Sequence, residues 1–336
     1  MVDPESQAPV RRHRALVLAA GVVAVAVLVW HADLSVVRTA LVAMGWGIVL
    51  ILGQEAVAHA LNALGWRFAF AREHAGSFRL TELVRLRIAG DAVNYLTPSA
   101  TLAGEVARTA MLADRHGPDV RAAAVILAKS AQTMAQAVFI TAGLCLVGTR
   151  LAPATGRGAL VFGSVAVALA AALILLHRKS GRGGFLGSAR ANAWIRAVAT
   201  RLRDGIRGQP GRLALSVLMF ALAYAWGAFE AYWICWFLGH PVSLATAAMI
   251  EVLSITVDGL LFVVPAKIGT QEGGKMAVFG MLGLSTSLGL AFGIVRHVRE
   301  LTWAGLGLLL CVPQLGKTLR QITLRSCRCG LVQCDQ

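Results

Sequence analysis

Polar sequence is scarce in this chain. Only 15% of its 336 residues are charged, 57% are hydrophobic, and the mean hydropathy is +0.67. No polar stretch is long enough for a soluble domain, and the GxSxG, Walker, HExxH and Rossmann motifs of soluble enzymes do not occur. The composition therefore argues against a cytosolic catalytic domain and predicts an integral membrane protein with no catalytic residues and no cofactor.

Acidic residues are also few, with 17 Asp and Glu against 32 Lys and Arg, which gives a net charge of +15. The basic residues lie in short loops rather than in one patch of the kind that binds nucleic acid, so no nucleic-acid partner is predicted. Basic loops beside membrane spans mark the cytoplasmic side and can attract anionic lipid.

Cysteine is too sparse to indicate a disulfide framework, since three of the six stand singly in apolar runs. The other three are close together near the C-terminus but have no fourth ligand nearby, so no metal site is predicted there: Cys327, Cys329 and Cys334.

Long apolar runs dominate what remains, and a span needs about 20 such residues. Six full spans are predicted, at 15–30, 40–64, 122–147, 158–176, 213–237 and 295–315. The loop 177–212 holds nine Arg and Lys against the single Asp204 and has room for a short amphipathic helix at most. It is the strongest cytoplasmic signal, and it places both termini in the cytoplasm.

One pattern, D-x6-P-x6-E-x2-[RK], occurs twice at a shift of 167 residues. The two copies are Asp91, Pro98, Glu105, Arg108 and Asp258, Pro265, Glu272, Lys275. The same shift carries Lys129 onto Arg296. Matched, interrupted, charged segments in the two halves of a membrane chain indicate a transporter's binding site.

Each copy lies in an apolar segment that proline interrupts. The first, 83–112, has arms too short to cross twice and is predicted to be a re-entrant hairpin. The second has longer arms, 244–264 and 276–294, so two full crossings remain possible. Three crossings separate the segments, and an odd number inverts the second copy.

The predicted fold is therefore an all-α polytopic membrane protein with an inverted-topology repeat, about six full spans and two re-entrant or broken helical hairpins. Residues 1–14 form a cytoplasmic N-terminus, 15–150 the first membrane repeat, 151–316 the second, and 317–336 a cytoplasmic tail that contains cysteines.

The charged residues of both hairpins and the last span are predicted to line a wet cavity between the hairpins. Its cations would meet phosphate or other acidic groups: Arg108, Lys129, Lys267, Lys275, Arg296 and Arg299. Its carboxylates would pair these cations, or bind an amine or a coupling proton: Asp91, Glu105, Asp258, Glu272 and Glu300. Gly269, Gly273 and Gly274 permit a tight turn that opens a helix, which favours anion binding.

Simpler interpretations stand beside these. Glu105–Arg108 and Glu272–Lys275 also have the spacing of i,i+3 ion pairs within a helix. Glu230, between two tryptophans, is interpreted as satisfying a single hydrogen bond, and His297 as a packed or interfacial histidine. Two further polar stripes follow helical spacing: Glu55, His59, Asn62 and Glu251, Ser254, Asp258.

The runs NYLTPSATLAGEVAR and VPAKIGTQEGG, the latter followed by RHVRE, resemble the flippase-like membrane family named for the membrane half of lysylphosphatidylglycerol synthase. The arrangement VPAxxGxQEGG…VRxxRE is especially similar to its hopanoid-biosynthesis-associated branch. The resemblance implies lipid translocation across the bacterial inner membrane. It carries site roles onto Asn94, Pro98, Gly104, Glu105, Arg108, Pro265, Gly269, Gln271, Glu272, Gly273, Arg296, Arg299 and Glu300. Lys267 stands where many relatives carry an uncharged small residue, and this difference leaves the identity of the lipid open.

The resulting hypothesis is a flippase for a polar-headgroup lipid, whether a phospholipid, a hopanoid or a polyprenyl-linked lipid. Synthase activity is not expected, because no soluble synthase domain is found in this sequence. Two alternatives stay open: a membrane-embedded transferase that uses a carboxylate as general base, and a proton-coupled carrier of a small solute.

Overall fold

A computed structural model describes residues 34–97, 102–112, 116–151, 189–260 and 269–331. All secondary structure in these ranges is helical. The helices are α1 (Leu34–Met44), α2 (Gly47–Ala69), α3 (Arg72–Ala75), α4 (Leu80–Leu96), α5 (Leu102–Met111), α6 (Pro118–Leu151), α7 (Ala189–Gly208), α8 (Pro210–Phe237), α9 (Leu244–Leu260), α10 (Thr270–Met281) and α11 (Thr286–Leu331).

Three of the described helices are long and apolar enough to cross a membrane: α2, the part of α6 from Pro118 to Gly148, and α8. They contain the predicted spans 122–147 and 213–237 and most of 40–64, which confirms an all-α polytopic membrane protein. The start predicted for 40–64 is wrong, because Gly45 adopts a left-handed turn (φ 52°) and separates α1 from α2. The predicted spans 15–30 and 158–176 lie outside the described residues.

Both interrupted segments contain one short helix that cannot cross a bilayer. Helix α5 has 10 residues and α10 has 12, lengths of about 15 and 18 Å against a hydrocarbon core of about 30 Å. The long arm predicted at 276–294 is therefore wrong. Its helix ends at Met281, Gly283 turns the chain with a φ of 72°, and α11 begins at Thr286. The predicted tips, Pro98 and Pro265, lie outside the described residues.

The order of helices repeats with the shift predicted from the sequence. Helices α2, α4, α5 and α6 begin at residues 47, 80, 102 and 118, and α8, α9, α10 and α11 begin at 210, 244, 270 and 286. These four differences are 163, 164, 168 and 168 residues. The second half of the chain therefore repeats the helical pattern of the first.

The two copies run in opposite directions, because the equivalent helices α2 and α8 pack against each other antiparallel. The start of α2 meets the end of α8, where a Cβ at Gly47 would overlap the Phe237 ring. Midway, Trp226 donates to Gln54 Oε1 at 2.6 Å, and at the far end Ser216 donates to the Gly65 carbonyl at 2.7 Å. This packing gives the two equivalent helices opposite directions, as an inverted repeat requires.

Two apolar cores lie toward the two ends of this central helix pair, and each takes residues from both halves. One core gathers Trp66, Phe70 and Leu83 around Phe220 of α8. The other joins Ile51 of α2 to Phe279, Phe292 and neighbours in the second half. Because both cores are shared, neither half can bury its apolar face without the other.

Helix α7 lies in the predicted basic loop and is longer than the short helix expected there. Its inner side packs Val198 against Ala122 and Ala123 at the start of α6. Three arginines on the other side are exposed: Arg196, Arg203 and Arg207. The helix is thus amphipathic, with a basic outer face.

Candidate functional site

The buried side chain of Arg108 joins the two arms of the first hairpin. Its guanidinium donates to Asp91 on α4 and to Glu105 on α5, each at 2.5 Å. Arg87, one turn before Asp91 on the same helical face, donates to the second oxygen of that carboxylate at 3.0 Å. Asp91 is therefore held between two guanidinium groups, and the Glu105–Arg108 contact has the i,i+3 geometry that the spacing predicts.

Asn94 fixes the beginning of α5. Its Oδ1 accepts a hydrogen bond from the Gly104 backbone N–H at 2.6 Å, so the side chain caps a donor that the helix itself cannot satisfy. Any side chain at Gly104 would collide with the Gly90 carbonyl and with Asn94. Lys129 of α6 stands nearby, with its Nζ 3.9 Å from Glu105 and about a third of its side chain exposed.

The second hairpin repeats the first ion pair at equivalent positions. Lys275 of α10 is fully buried and donates to Asp258 Oδ1 of α9 at 2.7 Å. The Glu272 carboxylate contacts Nδ1 of His297 on α11 at 2.6 Å. His297 is thus held by a carboxylate of the hairpin, which the sequence did not predict.

Helix α10 opens with a glycine turn, as predicted. Gly269 has a left-handed φ of 71°, a conformation that an L side chain rarely adopts. Gly274 lies close to Val257 of α9, whereas a side chain at Gly273 would meet open space. Gln271 in the first turn is fully buried, and its amide has no hydrogen-bond partner among the described residues.

Arg296 and Arg299 of α11 lie in a network of carboxylates from four helices. Arg296 donates to Glu251 of α9 and, at 3.3 Å, to Glu230 of α8. Arg299 donates to Glu230, to Glu55 of α2 at 2.8 Å and to Glu300 at 3.5 Å.

Glu230 lies at the centre of this network, which corrects its interpretation as the acceptor of a single hydrogen bond. The side chain is 2% exposed, and one carboxylate oxygen receives both guanidinium groups. Helical spacing could not reveal this role, because Glu230 has no charged neighbour on its own helix face.

A cavity of about 200 Å³ lies between α2, α4 and α11. It joins the first hairpin to the arginine network. Its wall carries the charged or polar side chains of Glu55, His59, Asn62, Asp91, Tyr95, Arg299, Glu300 and Trp303. Among the described residues, the wall thus carries three carboxylates, one guanidinium and one imidazole, and this part of the wall is acidic.

Fourteen of the seventeen predicted site residues are described. They lie in or beside the first hairpin, in the second hairpin, and in the network around Arg296 and Arg299. Pro98, Pro265 and Lys267 lie outside the described residues. The cavity is lined by α2, α4 and α11, not by Asp258, Glu272 or Lys275. The second hairpin contacts α11 through Glu272 and His297.

Several residues of these groups were absent from the predicted site, among them Glu55, His59, Arg87 and Tyr95. Glu55 and His59 had been placed on one polar stripe of α2, and the cavity shows what that stripe faces. Arg87 was not among the predicted site residues, although its i,i+4 spacing to Asp91 was a usable signal. No sequence pattern indicated that Tyr95 belongs to the site.

No group of three or more His, Cys, Asp or Glu side chains in the described ranges is arranged to hold a metal ion.

Residues 15–307 match a family model described as the lysylphosphatidylglycerol synthase TM region. The chain belongs to this family. The match contains both hairpins and the Arg296–Glu300 segment, so the whole charged site lies within the family's region. It does not separate the branches of the family, and the link to hopanoid biosynthesis stays a prediction. No curated protein matches the chain. No solved structure matches it either.

Proposed function

We propose that this protein is a lipid flippase, which moves a polar-headgroup lipid between the leaflets of a bacterial inner membrane. The observation that carries the proposal is the acidic cavity inside an inverted pair of helical repeats. Ionised groups at membrane depth are costly and are kept mainly where they serve a pathway or a site. The family supports a lipid-related role, because it is the membrane region of a lipid synthase.

The cavity would receive the headgroup while the acyl tails stay in the bilayer. Its volume of about 200 Å³ accommodates a small polar group and not two acyl chains, so the tails must remain outside. Glu55, Asp91 and Glu300 on the wall favour a headgroup that carries an ammonium group. This preference follows from the charges that face the cavity, where Arg299 is the only guanidinium among the described lining residues.

The predicted phosphate contacts would need the cations to exchange partners. Arg108, Lys275, Arg296 and Arg299 each contact a carboxylate in this structure. Lys129 is the more accessible cation, at 3.9 Å from Glu105. We infer that a lipid phosphate would meet Lys129 first, beside the first hairpin.

Movement between leaflets would come from the inverted relationship of the two halves. Inverted repeats let a protein adopt two similar conformations that open to opposite faces of the membrane. The Asp91–Arg108 and Asp258–Lys275 contacts would keep each hairpin together as the halves tilt. Both termini would lie in the cytoplasm, and the exposed arginines of α7 would face anionic lipid there.

The test is lipid movement in proteoliposomes that contain fluorescent lipids and a quencher outside. We expect the wild type to move a lipid with an ammonium-bearing headgroup faster than one with an anionic headgroup. Arg299→Gln should lose most of this activity, because the carboxylates of the network then repel one another. Glu73→Gln, on the exposed short helix α3, is the matched control and should retain it.

Two results would overturn the proposal. One is lipid movement no faster with the wild type than in protein-free vesicles, for every headgroup tested. The other is a new lipid product in the vesicles when a candidate donor is supplied, which would favour the membrane-embedded transferase.

A further inference from the structure

The two hairpins pack differently against the last helix of their own half. In the second half, α10 lies directly on α11. A Cβ at Gly289 would lie 2.9 Å from the Met276 Cα, and a Cβ at Gly293 would lie 3.1 Å from the Glu272 Cα. The backbones of α10 and α11 therefore meet at two glycines, and the seam between these helices is closed.

The equivalent seam of the first half, between α5 and α6, carries side chains in place of the glycines. Helices α6 and α11 begin 168 residues apart, so Arg121 stands where the second half has Gly289. By the same shift, Val125 stands where it has Gly293. The Arg121 guanidinium spans the seam and donates to the Thr109 carbonyl of α5 at 2.9 Å. Side chains rather than backbone contacts thus set the separation of α5 and α6.

Lys129 is held loosely in this first seam. The same shift places it where His297 contacts Glu272 in the second half. The Lys129 Nζ lies 3.9 Å from Glu105 of α5, which is too far for a hydrogen bond, and Arg108 donates to the same carboxylate oxygen at 2.5 Å. The Lys129 side chain is 36% exposed. Its ammonium group has three donors and makes no hydrogen bond to the described residues.

The charges around Lys129 leave one positive charge in excess. Two carboxylates and two guanidinium groups act on it electrostatically: Asp91, Glu105, Arg87 and Arg108. Arg108 contacts both carboxylates and Arg87 contacts Asp91, so these four charges balance one another. Residues 98–101, which connect α4 to α5, are Pro, Ser, Ala and Thr and add no charge. Among these groups, Lys129 is the cation in excess.

The depth of Lys129 indicates what could balance it. It lies seven residues inside the predicted span 122–147, about 10 Å along the helix axis. An ammonium group at such a depth is costly and is kept mainly for a site or a pathway. A phosphodiester carries one negative charge and accepts strong hydrogen bonds from an ammonium group. Inorganic phosphate has the same chemistry, but a seam within a span is reached more readily from the bilayer than from water.

We propose that the seam between α5 and α6 binds the phosphate of a membrane lipid, and that Lys129 contacts this phosphate. The seam lies beside the acidic cavity, because Asp91 on the cavity wall contacts Arg108, and Arg108 contacts Glu105 in the seam. A lipid with an ammonium group and a phosphate would find carboxylates on one side of these contacts and Lys129 on the other. The binding site stands on the geometry, whereas its role in transport rests on the proposed lipid flippase.

Lipid binding is tested first, on the purified full-length protein in detergent. Thermal unfolding is measured with phosphatidylethanolamine, with a diacylglycerol of the same acyl chains, and with inorganic phosphate. We expect phosphatidylethanolamine to raise the unfolding temperature of the wild type. Lys129→Gln should need about tenfold more of this lipid for the same increase, which is the loss expected for one hydrogen bond between charged groups. Lys129→Arg should retain the wild-type response.

Arg79→Gln removes an exposed basic side chain outside the seam and is the matched control, which should respond like the wild type. If Lys129→Gln needs no more lipid than Arg79→Gln, the site is overturned. An equal increase with the diacylglycerol would show that the acyl chains alone stabilise the protein, and would overturn the phosphate contact. A Lys129-dependent increase with inorganic phosphate, and none with phosphatidylethanolamine, would make free phosphate the ligand and overturn the lipid.

The role in transport is tested second, in proteoliposomes with two fluorescent lipids: phosphatidylethanolamine, and a dialkyl ammonium lipid that has no phosphate. Lys129→Gln should slow the movement of phosphatidylethanolamine about tenfold more than that of the phosphate-free lipid. Equal slowing of both lipids would show that Lys129 does not act through the phosphate, and would overturn the contact. A wild type that moves neither lipid contradicts the proposed function instead and leaves the binding result unaffected.

Discussion

Asp258 and Lys275 repeat, in the second hairpin, the contact that Asp91 and Arg108 make in the first. The donor–acceptor distances are 2.7 and 2.5 Å, and the cation of each pair is buried. Seventeen residues separate the partners in both copies. Each pair therefore joins the two arms of its hairpin at equivalent positions.

The Asp258–Lys275 pair should contribute strongly to stability. Asp258→Asn leaves the buried Lys275 without this carboxylate, at a cost of about 3–5 kcal/mol. The double change Asp258→Asn/Lys275→Met removes both charges and should recover more than half of that loss. Thermal unfolding in detergent, run on the three variants together, measures the difference.

A surface pair supplies the matched comparison. Asp119 and Arg201 form a contact of 2.5 Å with partly exposed side chains, and Asp119→Asn should cost no more than about 1 kcal/mol. If Asp258→Asn unfolds at the same temperature as Asp119→Asn, the buried pair does not hold the second hairpin together.

The cap at the start of α5 gives a second prediction. Asn94→Ala removes the acceptor for the Gly104 N–H and should cost about 1 kcal/mol, with slower lipid movement because the first hairpin loosens. Asn94→Asp keeps an acceptor oxygen and should preserve most of the stability. Equal losses in both variants would show that the side-chain oxygen is not what positions α5.

Two glycines of α11 should respond in opposite directions to the same substitution. A Cβ at Gly307 would overlap the Ile88 carbonyl and Ala92 of α4, whereas a Cβ at Gly305 would meet open space. Gly307→Ala should therefore destabilise the protein by forcing α11 away from α4. Gly305→Ala should be neutral or stabilising by up to about 1 kcal/mol, because alanine favours the helix. Unfolding midpoints that move together would contradict the close packing of these helices.

The basic outer face of α7 should bind anionic lipid. Each exposed arginine near a negatively charged surface contributes about 1 kcal/mol. We expect anionic phospholipid to raise the unfolding temperature of the wild type in mild detergent, and high salt to reduce the increase. The triple variant Arg196→Gln/Arg203→Gln/Arg207→Gln should lose the increase in unfolding temperature that anionic phospholipid produces. An increase that the triple variant keeps would place the lipid contact elsewhere.

The sequence predicted three of the spans and the shift between the two helical patterns, because both depend on patterns within single helices. Uninterrupted apolar runs predicted α6 and α8 nearly to their ends. The recurrence of Asp91 and Arg108 as Asp258 and Lys275 predicted the second hairpin. The helix ends near Gly45 and Gly283 were missed, since a left-handed glycine breaks a helix without lowering its hydrophobicity.

The partners across helices could not be predicted in the same way. Helical spacing assigns Glu55 and Arg299 to faces of α2 and α11, but it does not say that those faces meet. For the same reason the sequence did not connect Glu272 with His297. Glu230 was misinterpreted because its partners lie 66 and 69 residues away.

The most direct measurement concerns access to the cavity from the two sides of the membrane. Asn62→Cys introduces a thiol on the cavity wall in a variant whose native cysteines are replaced, and Glu73→Cys on α3 serves as the one-sided control. Membrane-impermeant thiol reagents are added to sealed vesicles, outside or inside. We expect Asn62→Cys to react from both sides, with an ammonium-bearing lipid slowing both reactions, and Glu73→Cys to react from one side. Reaction of Asn62→Cys from a single side under every lipid condition would contradict a cavity that opens in turn to each leaflet.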